Sequence, residues 1–536
     1  MSDSPANPLQ SGMAVAQRHP RLAVLVLGAL GALGYPPYGL WPLSFLAFAG
    51  LIAILRQAIS SKSAALLGGL FGWSHLSVAN NWIATAFTFQ SEMPQFLGWL
   101  AVPMLCLYLA IYPAIAAYVA HRFSNQSNAL SFGLMFAAAW IVTEWLRSWV
   151  FTGYPWPPVG LIALGKWESP GLALILPWMG TYALSGVVIL IAAVLGWTLA
   201  NKRWLVGGLT VVITGLAMMV PAPTSGPAAQ EGSLRYTLVQ PYFPQDEIHN
   251  ASQYEEQFAR LAGLSVPTTM DQRLLLWPES AIPDYLRAGY PARYYLATTA
   301  AADPDFSRTR IGNVIGEQSL LLTGATDLEM GEVLGRTKAV GAHNVVTALD
   351  GNGDIQASYS KAHLVPFGEY LALRWLLEPL GATRLVSGSI DFIPGPGPQT
   401  LELGAWGKAG IQICYEIVFS GQVIDAKNRP DYIFNPSNDG WFGTWGPAQH
   451  LAQARMRAIE EGLPVLRSTT TGISAVVDAN GVVRQHIAAG QADAIEGLVP
   501  PAKSPTLFSK LGNGLALAWA FALLLASFVA MRCRKV

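Results

Sequence analysis

Residues 410–420 read GIQICYEIVFS. Apolar residues flank Cys414, Tyr415 and Glu416, as in a buried strand with a polar interruption near its end. Cys414 is one of three cysteines in 536 residues. Cys106 lies in an apolar segment and Cys533 in the basic tail, so no disulfide can form within the region around Cys414. A lone cysteine in an apolar strand is most often a small core residue. The adjacent carboxylate is what raises the question of chemistry.

The surrounding composition is uneven. The chain is 52% hydrophobic and 12% charged, with a mean hydropathy of +0.35, whereas soluble domains carry about 25% charged residues. Long charge-free windows run to about residue 223, residues 231–503 have an ordinary soluble composition, and the last stretch is apolar again. This pattern implies a membrane protein with one large water-exposed domain. The 33 basic and 33 acidic residues balance, which gives no pull toward nucleic acid. No cleavable signal peptide of the usual form is evident, and the first apolar stretch reads as a retained span.

Eight membrane helices are expected, near 14–34, 40–56, 64–88, 96–119, 128–148, 171–200, 204–221 and 511–531. The first two share one charge-free interval, divided at YPPYGLWP (35–42) because two prolines and a glycine cannot continue a lipid-facing helix. Basic residues mark alternate connections: Arg18 and Arg21, Arg56 and Lys62, Arg122, Lys202 and Arg203, then Arg532, Arg534 and Lys535. By the positive-inside rule both termini are cytoplasmic. Residues 222–510 then lie on the outer side. The expected division is therefore 1–221 membrane, 222–510 soluble, and 511–536 a last helix with its tail.

The soluble region alternates strand-like and helical runs. RYTLVQ, RLLLWPES, SLLLTGA, NVVTALD, KAGIQICYE, DYIFNPS, LPVLRST and ISAVVDANG read as strands, and ASQYEEQFARLAGLS and PAQHLAQARMRAIEEG as helices. GNGD and DANGVV mark hairpin turns. Three strand ends carry isolated ionisable residues: Glu279 in LLLWPESAIP, Lys361 and Glu369 in YSKAHLVPFGEY, and Cys414 with Glu416. A thiol attacks carbonyl carbon as thiolate, and an unassisted cysteine has a pKa near 8.5. A carboxylate lifted toward neutrality by burial can remove the proton, and an ammonium can stabilise the thiolate and an oxyanion. Cysteine, glutamate and lysine thus suffice for acyl transfer through a thioester. Alone, Glu279 reads equally as a helix cap and Lys361 as a surface residue with a buried stem. Together they are more telling, because each adjoins an apolar run where an unpaired charge is costly.

WPES, KAHLVPFGEY, CYEIVF, NPSNDGWFG and RMRAIEEGLPVLRSTTTGISAVVDANG resemble apolipoprotein N-acyltransferase, a membrane-embedded branch of the nitrilase superfamily. The resemblance covers nearly the whole chain. It implies an α-β-β-α sandwich for the soluble domain and a Glu279–Lys361–Cys414 triad, with Glu369 and Glu416 supporting it. It further implies a ping-pong reaction. Glu279 deprotonates Cys414, the thiolate takes an acyl chain from a phospholipid, usually phosphatidylethanolamine, and the α-amine of a diacylglyceryl-cysteine on an apolipoprotein receives it. Lys361 and the Tyr415 N–H would hold the oxyanion. The implied setting is a bacterial inner membrane with the domain in the periplasm, a monomer, and no cofactor. One segment departs from the family pattern: VQPYFPQDEIHN (239–250) is acidic where a basic stretch ending in tryptophan is expected, and no role is assigned to it.

Further residues are candidates for substrate contact. Trp149 and Trp156 lie in the aromatic loop SWVFTGYPWPPVG, which suits a membrane interface. Glu144 and Arg147, one turn apart, fit either a lipid-access surface or helix packing. Asn438, Asp439 and Trp441 in NDGWFG form a turn expected near Cys414. The eight histidines are scattered without zinc-ligand spacing, and His363 and His450 read as structural. The main alternative is a membrane-tethered amidohydrolase in which water resolves the acyl-enzyme. A binding or transport protein is a further alternative, but no inverted repeat accompanies the polar residues His75, Asn80 and Asn81.

Overall fold

A computed structural model describes residues 18–89, 96–124, 126, 128–222, 232–269, 271–377, 379 and 390–532. The chain divides into two compact units. One holds Met1–Ala84, Phe96–Val220 and Leu511–Val536, and the other Thr85–Gln95 and Pro221–Lys510.

The first unit is helical: α1 (Pro20–Ala32), α2 (Trp41–Arg56), α3 (Ser61–Ala79), α4 (Phe96–Leu109), α5 (Ile111–Phe123), α6 (Ala129–Arg147), α7 (Leu176–Ala200) and α8 (Trp204–Met218), with a last helix at Asn513–Arg532. Among the described residues, four helical stretches are long and apolar enough to cross a membrane: Phe96–Phe123, Ala129–Arg147, Leu172–Ala200 and Asn513–Arg532. Three shorter apolar helices, α1, α2 and α8, join them. The expected span 64–88 is cut short. The amides of Asn80 and Asn81 bond back to the carbonyls of Leu76 and Val78, closing α3, and only short helical turns follow to Phe89. The start of the expected first span and Cys533 lie outside the described residues.

Small residues bring these helices together, as lipid gives no hydrophobic drive for helices to associate. A Cβ on Gly72 would meet Pro113 at 2.2 Å, and one on Gly186 would meet Ile141 at 2.6 Å.

Among its described residues the second unit has two six-stranded sheets. Its strands are β1 (Arg235–Gln240), β2 (Arg273–Leu276), β3 (Ser319–Val333), β4 (Arg336–Asp350), β5 (Ile355–Ser360), β6 (Thr400–Glu402), β7 (Lys408–Ile411), β8 (Tyr432–Ser437), β9 (Val465–Thr469), β10 (Ser474–Val477), β11 (Val483–Ile487) and β12 (Asp493–Leu498). Their orders are β12-β1-β2-β3-β4-β5 and β11-β10-β9-β8-β7-β6. Strands β1–β3 run parallel in the first sheet, and β7–β9 in the second. Fully buried Leu274, Leu275 and Leu276 and Val465 and Leu466 form the near-continuous apolar runs that central parallel strands require. Helices α9 (Tyr254–Ser265) and α10 (Pro304–Ile315) cover the first sheet through Leu261, Ile311 and Ile315, which join Leu275, Leu321 and Val345 in one core. Helix α11 (Gly446–Glu461) serves the second sheet. The sheets are stitched by Gln240, whose Oε1 accepts from Thr469 and Ser474, and by Ser468, which donates to the Val239 carbonyl. The result is the expected α-β-β-α sandwich.

Candidate active site

The chemistry-bearing residues follow the C-terminal ends of strands, where open sheets leave a crevice. Glu279 comes three residues after β2, which Pro278 helps to end because it has no N–H for the ladder. Lys361 follows β5 directly, Asn438 follows β8, and Cys414 begins a tight helical turn, Cys414–Val418, just beyond β7. Close approach of the strands matters here. A Cβ on Gly324 of β3 would lie 2.6 Å from the Glu279 Cα, so only glycine fits.

Glu279, Lys361 and Glu369 are buried together. Lys361 Nζ lies 3.3 Å from Glu279 Oε1 and 2.9 Å from Glu369 Oε1. The Asn344 amide donates to the same two carboxylates, at 2.7 and 3.0 Å. Glu279 Oε2 accepts the Asn438 N–H at 2.8 Å, and Glu369 Oε2 accepts the Val365 N–H at 2.8 Å. Both carboxylates are thereby fixed at both oxygens.

The electrostatics follow from counting charges. Burial alone would lower the Lys361 pKa, but Glu279 and Glu369 together outweigh it and push it up, so the ammonium stays charged. Burial pushes the Cys414 thiol up, Glu279 pushes it further, and Lys361 and a hydrogen bond with Ser437 oppose the rise. The resting thiol therefore keeps its proton until a base removes it.

The backbone is strained at the same places. Ser280, Phe367 and Cys414 have left-handed φ values of 54°, 63° and 49°. Such values cost non-glycine residues about 1–3 kcal/mol each and cluster at functional sites. Glu416 braces this region. Its Oε1 accepts from Tyr359 (2.7 Å), the Ala362 N–H (2.7 Å) and the His363 N–H (3.2 Å), and its Oε2 from the Ile413 N–H (2.7 Å). It joins the turn after Lys361 to the turn that carries Cys414. Burial raises its pKa to about 7, against the pull of those donors.

Two family profiles match the chain. One, the apolipoprotein N-acyltransferase N-terminal domain, covers residues 27–194, and the other, carbon-nitrogen hydrolase, covers residues 244–495. Apolipoprotein N-acyltransferases of Rhodopseudomonas palustris and Bradyrhizobium diazoefficiens are 30% and 32% identical, each over 94% of both chains. That of Haemophilus influenzae is 31% identical over 96% of both. The chain belongs to the apolipoprotein N-acyltransferase family. It is a membrane enzyme with a nitrilase-type domain. Among solved structures, an amidase from Nesterenkonia sp. covers 52% of this chain and 94% of its own at 17% identity, and its TM-score of 0.31 adds nothing to the assignment.

Not every residue expected at the site occupies it. Trp156 is fully buried, its ring 4.8 Å from that of Trp82, so it is a core residue and not an interfacial one. Trp149 is 48% exposed and pairs with Trp145. Glu144 and Arg147 are buried too: the guanidinium donates to the Trp156 and Pro157 carbonyls at 3.0 Å, and the carboxylate accepts from Val159 N–H, Trp140 and Ser185. They hold the aromatic loop to α6 and offer no surface to lipid. Asp439 is likewise buried in an ion network with Arg467, so it cannot meet substrate directly. Trp441 is half-buried, its ring nearly perpendicular to that of Phe89, with centroids 5.8 Å apart. Tyr415 is buried and packs edge-on against Phe419.

Four participants were missed: Asn344, Ser437, Gln245 and Arg467. Gln245 lies in the atypical 239–250 segment and accepts from the Asn438 amide at 2.7 Å, giving that segment a supporting place. Asn344 and Arg467 had a visible signal, as polar residues inside the apolar runs HNVVTALD and LPVLRST.

Proposed function

We propose that this membrane enzyme transfers an acyl chain from a phospholipid, through an S-acyl Cys414, to the α-amine of the diacylglyceryl-cysteine that begins an apolipoprotein. The observation that carries the reading is the buried Glu279–Lys361–Glu369 cluster beside a strained Cys414, in a chain of this family. Glu279 takes the thiol proton, and the thiolate attacks the ester carbonyl. Lys361 and the Tyr415 N–H stabilise the oxyanion. The C–O bond breaks, Glu279 returns its proton to the departing alkoxide, and a lysophospholipid leaves. The lipoprotein amine then attacks the thioester and gives its proton to Glu279, and the thiolate departs. An amide replaces a thioester, so no nucleotide is required. Glu369 and Asn344 keep Glu279 and Lys361 in register. The same reading gives an inner-membrane protein with cytoplasmic termini and its α/β domain in the periplasm, supported by the alternating basic connections, with phosphatidylethanolamine as donor.

Intact-mass measurement of the purified protein with a defined phospholipid and no acceptor tests this. The expected result is a gain of one acyl chain, removable by neutral hydroxylamine and absent in Cys414→Ala. A diacylglyceryl peptide then discharges it to an N-acyl product. Discharge only to free fatty acid would make the protein a hydrolase, and an unmodified Cys414 with intact lipid would remove the phospholipid donor.

A further inference from the structure

The turn that carries Cys414 is held from beneath by a residue outside the Glu–Lys–Cys set. The peptide joining Cys414 to Tyr415 is planar and trans, so its C=O and N–H point in opposite directions. The C=O faces α11, where His450 Nε2 lies 3.0 Å from it. His450 is fully buried. A carbonyl oxygen can only accept, so Nε2 carries the ring proton and Nδ1 is the acceptor. Nδ1 lies 3.0 Å from Arg467 Nη2, which also reaches Asp439 Oδ1 at 2.8 Å and Oδ2 at 2.7 Å. Asp439 Oδ1 is 3.2 Å from the same Nδ1, and both accept from Arg467. The tautomer of His450 is thus set from both sides.

The other peptide of Cys414 is fixed as well, since its C=O, that of Ile413, accepts the Glu416 N–H at 3.1 Å. Cys414 is therefore clamped before and after its Cα, which is how a φ of 49° persists in a residue with a side chain. Helix α11 reinforces the grip two turns further along the same face, where Arg457 donates to the Val418 carbonyl. The clamp has a consequence for the reacting carbonyl. With the Cys414 C=O turned into α11, the Tyr415 N–H is turned away from it, and a hydrogen bond accepted by an amide C=O strengthens that amide as a donor.

We propose that His450 is a positioning residue for oxyanion stabilisation, and that Asp439 and Arg467 act through it. The inference rests on Cys414 being the acylated nucleophile. His450 touches neither substrate nor thiol. It aims and polarises the Tyr415 N–H.

The test compares two reactions at Cys414 in the full-length, detergent-purified protein. Acylation by phospholipid passes through an oxyanion, whereas alkylation by iodoacetamide does not. His450→Gln places an amide donor where Nε2 was, and His450→Asn is one methylene too short to reach the carbonyl. In H450N, acylation is expected to slow on the order of 10²-fold, the low end for loss of an oxyanion donor. Alkylation should stay within about threefold of the unaltered protein, and H450Q should restore acylation to within about tenfold. Should H450N not purify as a folded protein, His450→Leu, which has no donor, takes its place. Unslowed acylation in H450N overturns the proposal. Parallel loss of acylation and alkylation also overturns it, since that marks a merely structural role, as does an H450Q no better than H450N. An unaltered protein that is alkylated but never acylated fails at the earlier step and removes the nucleophile reading itself.

Discussion

Among the clusters of buried charge, one in each of the two units of this chain can be set side by side, and they differ in what the charges bond to. In the membrane unit, Arg147 and Glu144 are 3.7 Å apart, and their hydrogen bonds go to main-chain groups of the following loop and to Trp140 and Ser185. One positive charge meets one negative charge, and the pair fastens a loop. In the α/β unit, two carboxylates meet one ammonium, and the cluster adjoins a thiol and left-handed backbone at Ser280 and Cys414. Burial of charge alone does not distinguish the two, because both are nearly inaccessible. What separates them is the unbalanced charge and the thiol beside it, since the loop held by Arg147 also has a left-handed residue, Phe151, with φ 60°.

The largest expected effects would break or uphold this contrast directly. Glu279→Gln and Lys361→Met should each lower the rate of acyl-enzyme formation by at least about 10³-fold, since each removes a proton acceptor or an oxyanion partner. Arg147→Met strands Glu144 and should destabilise by roughly 3–5 kcal/mol, as breaking a buried pair does. It should leave acylation per folded molecule within about threefold. Single-turnover mass spectrometry alongside thermal unfolding separates the two quantities. If Arg147→Met slowed the chemistry of the folded protein as much as Lys361→Met, the contrast would fall.

Asn344→Leu sharpens the comparison at intermediate size. It removes the one amide shared by Glu279 and Glu369 and leaves each carboxylate one donor fewer. Acyl-enzyme formation should fall about 10- to 100-fold, with a stability loss of about 1–3 kcal/mol for the unpaired buried groups. Stability lost with full activity kept would show that Asn344 serves packing alone.

The two clusters were unequally legible in the sequence. Strand ends with lone charges led directly to Glu279, Lys361, Glu369, Cys414 and Glu416, because an ionisable residue beside an apolar run needs a partner. The partners were another matter: Gln245, Asn344 and Arg467 come from distant segments, and only the sheet order brings them together. Trp156 misled because aromatic residues in a loop read as interfacial, while the two carbonyls bound by Arg147 tuck this loop inward. Short edge strands such as β6 (Thr400–Glu402) and β11 (Val483–Ile487) were missed, since an edge strand of three to five residues has little apolar pattern to read. The span 64–88 was overextended because hydropathy does not register Asn80 and Asn81 bonding back onto their own helix.

Another buried carboxylate carries the smallest effect and separates burial from chemistry once more. Glu461 ends α11, is 2% exposed and lies close to Ser509. The segment containing Ser509 is tied to the same helix end by the Lys503 N–H, which donates to the Gly462 carbonyl at 2.8 Å. Burial, with the neighbouring Glu460 adding to it, raises the Glu461 pKa from 4.5 to about 7. Between those values the folded state holds a proton that the unfolded state has lost, so stability must fall as pH rises through the window and level off above it. Each tenfold difference in proton affinity between the two states is worth about 1.36 kcal/mol, so the effect is at most about 3 kcal/mol. Glu416 is raised in the same direction, so Glu461→Gln should remove part of the slope and leave acylation near its original rate. Denaturant unfolding at pH 5 and pH 8 measures both slopes. A Glu461→Gln protein as pH-sensitive as the original would mean that this carboxyl is ionised in the folded state, with Ser509 and the nearby Arg457 and Arg429 outweighing its burial.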